Sequence, residues 1–158
     1  MNAPVLEQLQ PLAFLLGTWR GQGRGFYPTV PEFTYEEEAL FTHTGRAFLV
    51  YSQRTWQPET GRPMHSENGF VRLVGDGKVE IVVAHAFGVA EIGEGTITGQ
   101  RLEVVSTRIT KTSTAKTVDA ISRAFEVEDE VLRYTIGMAY GGHPLQDHLV
   151  ATLQKTDA

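Results

Sequence analysis

Short segments in which apolar and polar residues alternate follow one another from Trp19 almost to the end of the chain. A period of two is typical of a β-strand that buries one of its faces. The clearest such segment runs from Lys78 to Ala86, directly after the turn pair Asp76-Gly77. One face of this predicted strand carries Val79, Ile81, Val83 and His85.

The alternating segments, separated by Gly, Pro, Asn or Asp, predict about ten strands joined mainly by short turns. Their expected ranges are Trp19–Gly25, Glu32–His43, Ala47–Trp56, Glu67–Val74, Lys78–Ala86, Val89–Thr98, Arg101–Ile109, Thr117–Glu128, Val131–Tyr140 and Leu149–Lys155. Only the first sixteen residues have helical spacing, interrupted by Pro11, which predicts one or two short helical turns.

An open meander of ten strands leaves two edges unpaired, so we expect the strands to close into an antiparallel β-barrel. About ten strands enclose more space than side chains usually fill, which favours a cavity for a small ligand. The length of 158 residues fits one all-β domain that spans residues 1–158.

Composition narrows the range of partners and chemistry. Fourteen basic and 19 acidic residues give a formal charge of −5 without a basic block, so nucleic acid is a poor partner. No apolar run reaches the length of a membrane span, and Met1–Pro4 lacks the features of a secretion signal, so we expect a cytoplasmic protein with no membrane partner. Cysteine is absent, so any metal must be bound by His, Asp or Glu.

The most distinctive local pattern is Gly17-Thr18-Trp19-Arg20-Gly21-Gln22-Gly23. It lacks the following Lys-Ser/Thr of a phosphate-binding loop, so nucleotide binding is a weak interpretation. We instead expect Trp19 to fill one end of the barrel while the glycines permit a bend or bulge where the first strand starts.

The five histidines show neither the His-x-His nor the His-x-x-x-His spacing of a tight metal site. His85 lies on the apolar face of its strand and is expected to point inward. His43 and His65 near turns, and His143 in a loop, are interpreted as surface residues. The acidic run of residues 36–38 is interpreted as solvent-exposed charge.

His148 stands at the start of the last predicted strand. Leu149, Ala151 and Leu153 form the inward face of that strand, so strict alternation would point His148 outward. An inward ring requires either that the regular strand begins at Leu149 or that a bulge reorients the side chain.

Several segments together resemble the nitrobindin family of ferric-haem β-barrels, which are also described as peroxynitrite isomerases. The resemblance covers nearly the whole chain and is closest to the mycobacterial members. It rests on Gly17, Trp19, Gly21 and Gly23, on Gly25-Phe26-Tyr27-Pro28-Thr29, on Pro63-Met64-His65-Ser66-Glu67-Asn68-Gly69-Phe70 and on Pro144-Leu145-Gln146-Asp147-His148-Leu149.

This resemblance implies a ten-stranded antiparallel barrel, similar to fatty-acid-binding proteins and lipocalins, with haem b bound at one mouth. The family's axial iron ligand falls on His148. Thr29 matches a position of haem contact, and Lys116 matches a residue that reaches a haem propionate. The implied iron is ferric and five-coordinate, since no second strong ligand is evident near His148.

The function implied by the resemblance is isomerisation of peroxynitrite to nitrate at the open ferric site, together with reversible binding of nitric oxide. Two alternatives stay open: a nitric oxide carrier or sensor without significant turnover, and a barrel that binds an apolar ligand. The second is weakened because Arg123 and Arg133 have no clear shared inward position to meet a carboxylate. A homodimer is compatible with the sequence.

Overall fold

Ten consecutive antiparallel strands close into one barrel in the computed structural model, which describes residues 7–156. The strands are β1 (Gly17–Tyr27), β2 (Val30–Thr42), β3 (Phe48–Trp56), β4 (Pro63–Gly75), β5 (Lys78–His85), β6 (Val89–Thr98), β7 (Arg101–Lys111), β8 (Val118–Glu128), β9 (Val131–Tyr140) and β10 (Gln146–Thr156). β1 pairs with both β2 and β10, which closes the sheet. This confirms the predicted barrel. In the described part of the chain no helix combines the length and apolar character needed to span a membrane.

A 3₁₀ helix at Glu7–Leu15 precedes β1 and closes the end of the barrel where β1 begins. Its Leu9, Leu12 and Leu15 are buried in the same apolar core as Trp19. The indole Nε1 of Trp19 donates a hydrogen bond of 2.8 Å to the carbonyl of Leu15. The short helix and the role of Trp19 thus agree with the sequence, although Leu6 and the first residues lie outside the described range.

The glycines of β1 do not bend the start of the strand. Pairing with β2 runs without interruption from Gly17 to Gly25, and the register shifts only beyond that point, around Phe26. A Cβ on Gly23 would lie 2.3 Å from Cζ of Tyr35, and one on Gly25 would lie 2.1 Å from Cζ of Phe33. The glycines therefore make room for aromatic rings inside the barrel.

The pairing between β7 and β8 covers only part of their length. The register joins Arg101–Val105 to 122–126 and ends there. Nearer the β7–β8 loop, the amide of Ile121 donates instead to the side chain of Ser106, at 3.0 Å. The β7–β8 seam is therefore open toward the end of the barrel that carries the loops after the odd-numbered strands. We call this end the mouth.

Candidate functional site

A cavity of about 250 Å³ lies inside the barrel near the mouth. Small-molecule pockets usually measure about 300–1,000 Å³, so a larger ligand would extend into the open mouth. Met64 and Phe87, each 44% exposed, stand where the cavity meets solvent. The cavity combines apolar and polar walls, lined by Phe33, Tyr35, Gln53, Thr55, Met64, His65, Glu67, His85, Phe87, Ile121, Arg123, Ile136, Met138, His148 and Leu149.

His148 borders this cavity because the last strand contains a bulge. The register of β10 against β9 shifts between Asp147 and Leu149, so His148 is the additional residue. An additional residue interrupts the alternation of faces. His148 and its neighbour Leu149 consequently both line the cavity, which strict alternation would not allow.

The imidazole of His148 is held by the backbone of β1. Its Nδ1 lies 3.0 Å from the carbonyl oxygen of Phe26. Since a carbonyl only accepts, Nδ1 carries the proton and the neutral ring keeps a lone pair on Nε2. Burial lowers the pKa of His148, an effect that the hydrogen bond to Phe26 only partly opposes. The ring of Tyr27 stands perpendicular to the imidazole, at 5.6 Å between centroids. His148 is therefore a fixed, neutral imidazole, which is the form that binds metals.

Thr29 and Lys116 lie at the same end of the barrel but do not line the cavity. Thr29 is exposed in the β1–β2 turn, and its Oγ1 is 2.5 Å from the hydroxyl of Tyr140. Tyr140 stacks on Tyr27 at 4.7 Å, so a pair of rings connects Thr29 with His148. Lys116 is exposed in the loop between β7 and β8. The structure thus brings the three predicted residues to the mouth, with His148 alone on the cavity wall.

The polar wall of the cavity is built around a buried arginine. Arg123 contacts both oxygens of Glu67, with Nη1 to Oε1 at 2.6 Å and Nη2 to Oε2 at 3.2 Å, and also forms an ion pair with Glu91. Burial alone would raise the pKa of Glu67, but the charge of Arg123 and hydrogen bonds from the adjacent side chains lower it well below its usual value. Burial also raises the pKa of Glu91, and the same kinds of interaction lower it overall. Both carboxylates are therefore ionised inside the barrel.

Two histidines adjoin these carboxylates. His85 Nε2 lies 2.7 Å from Glu91 Oε1, and His65 Nε2 lies 3.2 Å from Glu67 Oε2. Burial lowers the pKa of His85, but the adjacent carboxylates of Glu67 and Glu91 outweigh this effect and raise the pKa overall. The inward direction expected for His85 is confirmed. His65, interpreted as a surface residue, is instead half-buried on the cavity wall.

Glu37, which the sequence suggested to be solvent-exposed, is 2% exposed. It alternates with Tyr35 and Ala39 on the inner face of β2. The hydroxyl of Tyr134 donates to Glu37 and lies 2.6 Å from the hydroxyl of Tyr35. Burial raises the pKa of Glu37 to about 8 despite this hydrogen bond. Glu37 therefore keeps its proton at neutral pH.

Arg123 is likewise inward, although no clear inward position shared by Arg123 and Arg133 was expected. The signal was present, because Arg123 alternates with the inward residues Ile121 and Phe125. Its guanidinium is already paired with Glu67 and Glu91, so it is not free to bind the carboxylate of an apolar ligand. Arg123 is thus the inward cation that an apolar ligand with a carboxylate would need, but its ion pairs make it unavailable for this role.

Comparison with known proteins gives concordant results. The sequence profile of the THAP4-like, heme-binding beta-barrel domain matches residues 8–155. A Nocardia farcinica protein named peroxynitrite isomerase is 47% identical over 148 residues, which cover 91% of this chain and 88% of that protein. Peroxynitrite isomerase 2 of Mycobacterium marinum is 45% identical over 159 residues, covering 98% of this chain and 99% of that protein.

A solved structure has the same fold. The crystal structure of Rv2717c from M. tuberculosis matches with a TM-score of 0.91 at 40% identity, covering 98% of this chain and 100% of that one. The similarity extends through every strand described above, because the matched profile begins within the 3₁₀ helix and ends in β10. The chain belongs to the family of THAP4-like, haem-binding β-barrel domains.

Proposed function

We propose that this protein is a haem-dependent peroxynitrite isomerase. In this proposal it binds haem b through His148, with ferric five-coordinate iron, converts peroxynitrite to nitrate and binds nitric oxide reversibly. The observation that carries the proposal is the inward imidazole of His148. Its Nδ1–H donates to the carbonyl of Phe26, and its Nε2 has a lone pair that can coordinate the haem iron. The names of relatives that are 45–47% identical support the reaction.

The residues present fit a haem. A haem needs an axial donor, an apolar wall against the porphyrin and an open side for its propionates. His148 supplies the donor, and Phe33, Ile136, Met138 and Leu149 supply apolar surface in the same cavity. Thr29 and Lys116 lie in loops at the mouth, where their exposed positions suit hydrogen bonding and charge pairing with carboxylates.

When bound, the haem supplies the iron site at which peroxynitrite rearranges to nitrate. The chain's own residues hold and orient this centre. The hydrogen bond from His148 to Phe26 fixes the ring orientation and raises the basicity of the coordinating nitrogen. The apolar wall limits access of bulk water. His65 pairs with Glu67 and His85 pairs with Glu91, which holds these two imidazoles in place on the polar wall of the cavity.

The first experiment is a hemin titration of the chain and of His148→Ala, with His43→Ala in the β2–β3 loop as the matched control. We expect the Soret band of bound haem in the wild type and the control, and its loss in His148→Ala. A Soret band in His148→Ala with the wild-type position and affinity would contradict ligation by this residue.

A second measurement separates an isomerase from a nitric oxide carrier or sensor that uses the same haem. Stopped-flow decay of peroxynitrite is followed with the haem-loaded protein and with an equal concentration of free hemin. We expect faster decay with the protein and nitrate as the product. Decay no faster than with free hemin, combined with reversible binding of nitric oxide, would favour the carrier.

A further inference from the structure

Three potential metal-ligand atoms converge on the polar wall of the cavity. They are Nε2 of His65, Oε2 of Glu67 and Nδ1 of His85, and all lie within 4.8 Å of one another. His65 and Glu67 are two apart on one face of β4, and Glu67 is directly opposite His85 in the β4–β5 register. Strand pairing therefore places Glu67 beside His85, and His65 joins them at the point where the β3–β4 register shifts.

His85 provides an independent indication of a ligand. Its side chain is 5% exposed, and its Nδ1 makes no hydrogen bond although Glu67 Oε2 is only 3.1 Å away. With Nε2 donating to Glu91, a neutral His85 has its lone pair on Nδ1. That lone pair would then face a carboxylate oxygen, an arrangement that calls for either a proton or a metal ion between the two atoms. A buried polar atom without a partner requires such an explanation.

The distances match those between ligands of one metal ion. Bonds of about 2.0–2.1 Å to imidazole and carboxylate place neighbouring ligands of a tetrahedral ion roughly 3.3 Å apart. The observed separations from Glu67 Oε2 are 3.2 Å to His65 and 3.1 Å to His85.

We propose that His65, Glu67 and His85 bind one divalent transition-metal ion, distinct from the haem iron, with a free coordination position that faces the cavity. Two imidazoles and one carboxylate suit Zn²⁺, Fe²⁺ or Co²⁺ rather than Mg²⁺ or Ca²⁺. None of the three ligands is His148, so this site does not depend on haem ligation.

The surrounding side chains support these ligands. Glu91 accepts from Nε2 of His85, which is the usual support of a metal-bound histidine. Tyr51 donates to Oε1 of Glu67 at 2.7 Å, and Arg123 contacts both oxygens, while the two histidines approach Oε2 alone. Glu67, Glu91 and Arg123 together carry a formal charge of −1, so the buried cluster attracts a cation.

The test is isothermal titration of Zn²⁺ into the chelator-treated full chain, with and without added hemin. We expect one Zn²⁺ per chain. His85→Gln keeps an amide donor for Glu91 but removes Nδ1, and His65→Ala removes a ligand at the less buried edge of the cluster. Each variant should weaken Zn²⁺ binding by at least about tenfold. His43→Ala, which removes a histidine at the opposite end of the barrel, should leave the affinity unchanged.

The variant His148→Ala separates this proposal from the proposed function. It should lose haem but retain Zn²⁺, whereas His85→Gln should lose Zn²⁺ but retain the Soret band. Crystals soaked in Zn²⁺ should show an anomalous peak between the three ligand atoms. The absence of stoichiometric Zn²⁺ binding, or equal affinity in the wild type, His65→Ala and His85→Gln, would overturn the proposal and leave a protonated His85 as the cation of the cluster.

Discussion

Two buried glutamates inside the barrel have opposite protonation because their partners differ. Glu67 faces the guanidinium of Arg123, which lowers its pKa well below the usual value against the effect of burial. Glu37 is hydrogen-bonded by the neutral Tyr134, and burial raises its pKa to about 8. A buried carboxyl without an adequate cation is most stable in its neutral form. The barrel interior therefore contains an ionised and a protonated carboxyl group near one another.

The protonated Glu37 makes stability depend on pH. Because its pKa rises from 4.5 in the unfolded chain to about 8 in the folded one, the folded chain retains a proton that the unfolded chain loses. The contribution of Glu37 to the free energy of unfolding is therefore complete below pH 4.5. It decreases by up to about 1.4 kcal/mol per pH unit as the pH rises toward 8.

Glu37→Gln tests this contribution, since its amide oxygen still accepts from Tyr134 but does not titrate. We expect the variant to gain stability relative to the wild type between pH 5 and pH 8, measured by urea denaturation at several pH values. A constant difference in unfolding free energy across this range would show that Glu37 is already ionised in the folded chain.

At the scale of elements, β1 and β2 pack together because small residues of β1 lie opposite large aromatic residues of β2. Gly23 and Gly25 lie directly opposite Tyr35 and Phe33, and each ring occupies the space that a side chain on β1 would fill. An aromatic side chain that covers a cross-strand glycine compensates for the packing that glycine lacks. This arrangement also positions Tyr35 and Phe33 on the cavity wall.

The substitution Gly23→Ala should therefore destabilise the barrel although alanine suits a strand better than glycine. The new methyl group would lie 2.3 Å from Cζ and 2.4 Å from the hydroxyl oxygen of Tyr35. We expect a loss of roughly 1–3 kcal/mol in the free energy of unfolding, as for overpacked cores. Gln22→Ala, on the exposed face of the same strand, is the control and should change stability by less than about 0.5 kcal/mol. Equal effects of both variants would exclude the steric explanation.

The alternation of residues predicts which element faces are inward, and it fails where the backbone is irregular. It places Arg123 beside Ile121 and Phe125, and Glu37 beside Tyr35, so the burial of these two titratable groups was predictable from the sequence. The bulge at His148 was not, because a one-residue register shift depends on pairing with β9. The inward position expected for His148 came from the family resemblance.

For the whole molecule, ten strands and their order were predictable because turn residues recur at short intervals and each strand pairs with its neighbours in sequence. The polar cluster was not predictable as a unit. Glu67, His85, Glu91 and Arg123 come from four strands, and their convergence depends on barrel closure and register. The alternation specifies which residues face inward, but which inward residues of separate strands meet depends on how the whole barrel closes.

The partly open β7–β8 seam should be visible in hydrogen exchange. Amides of residues 106–111 and 118–120 that point toward the seam should exchange faster than the seam-facing amides of 101–105 and 122–126, where the two strands pair. The other amides of these segments still pair with β6 or β9. Amides without a backbone partner need the least free energy of local opening before they exchange. The measurement is exchange mass spectrometry on the full chain, and uniform protection along both strands would contradict an open seam.

The same seam gives the barrel a preferred direction of expansion. Among the described residues, separating the ends of β7 and β8 near the mouth breaks no ladder pairing and only the hydrogen bond from Ile121 to Ser106. Every other neighbouring pair of strands is joined by a longer register. A planar ligand too wide for the 250 Å³ cavity would therefore enter with the fewest broken ladder pairs if these two strands separated near the mouth. Lys116, in the loop that joins them, would move with that side of the wall and return as it closes.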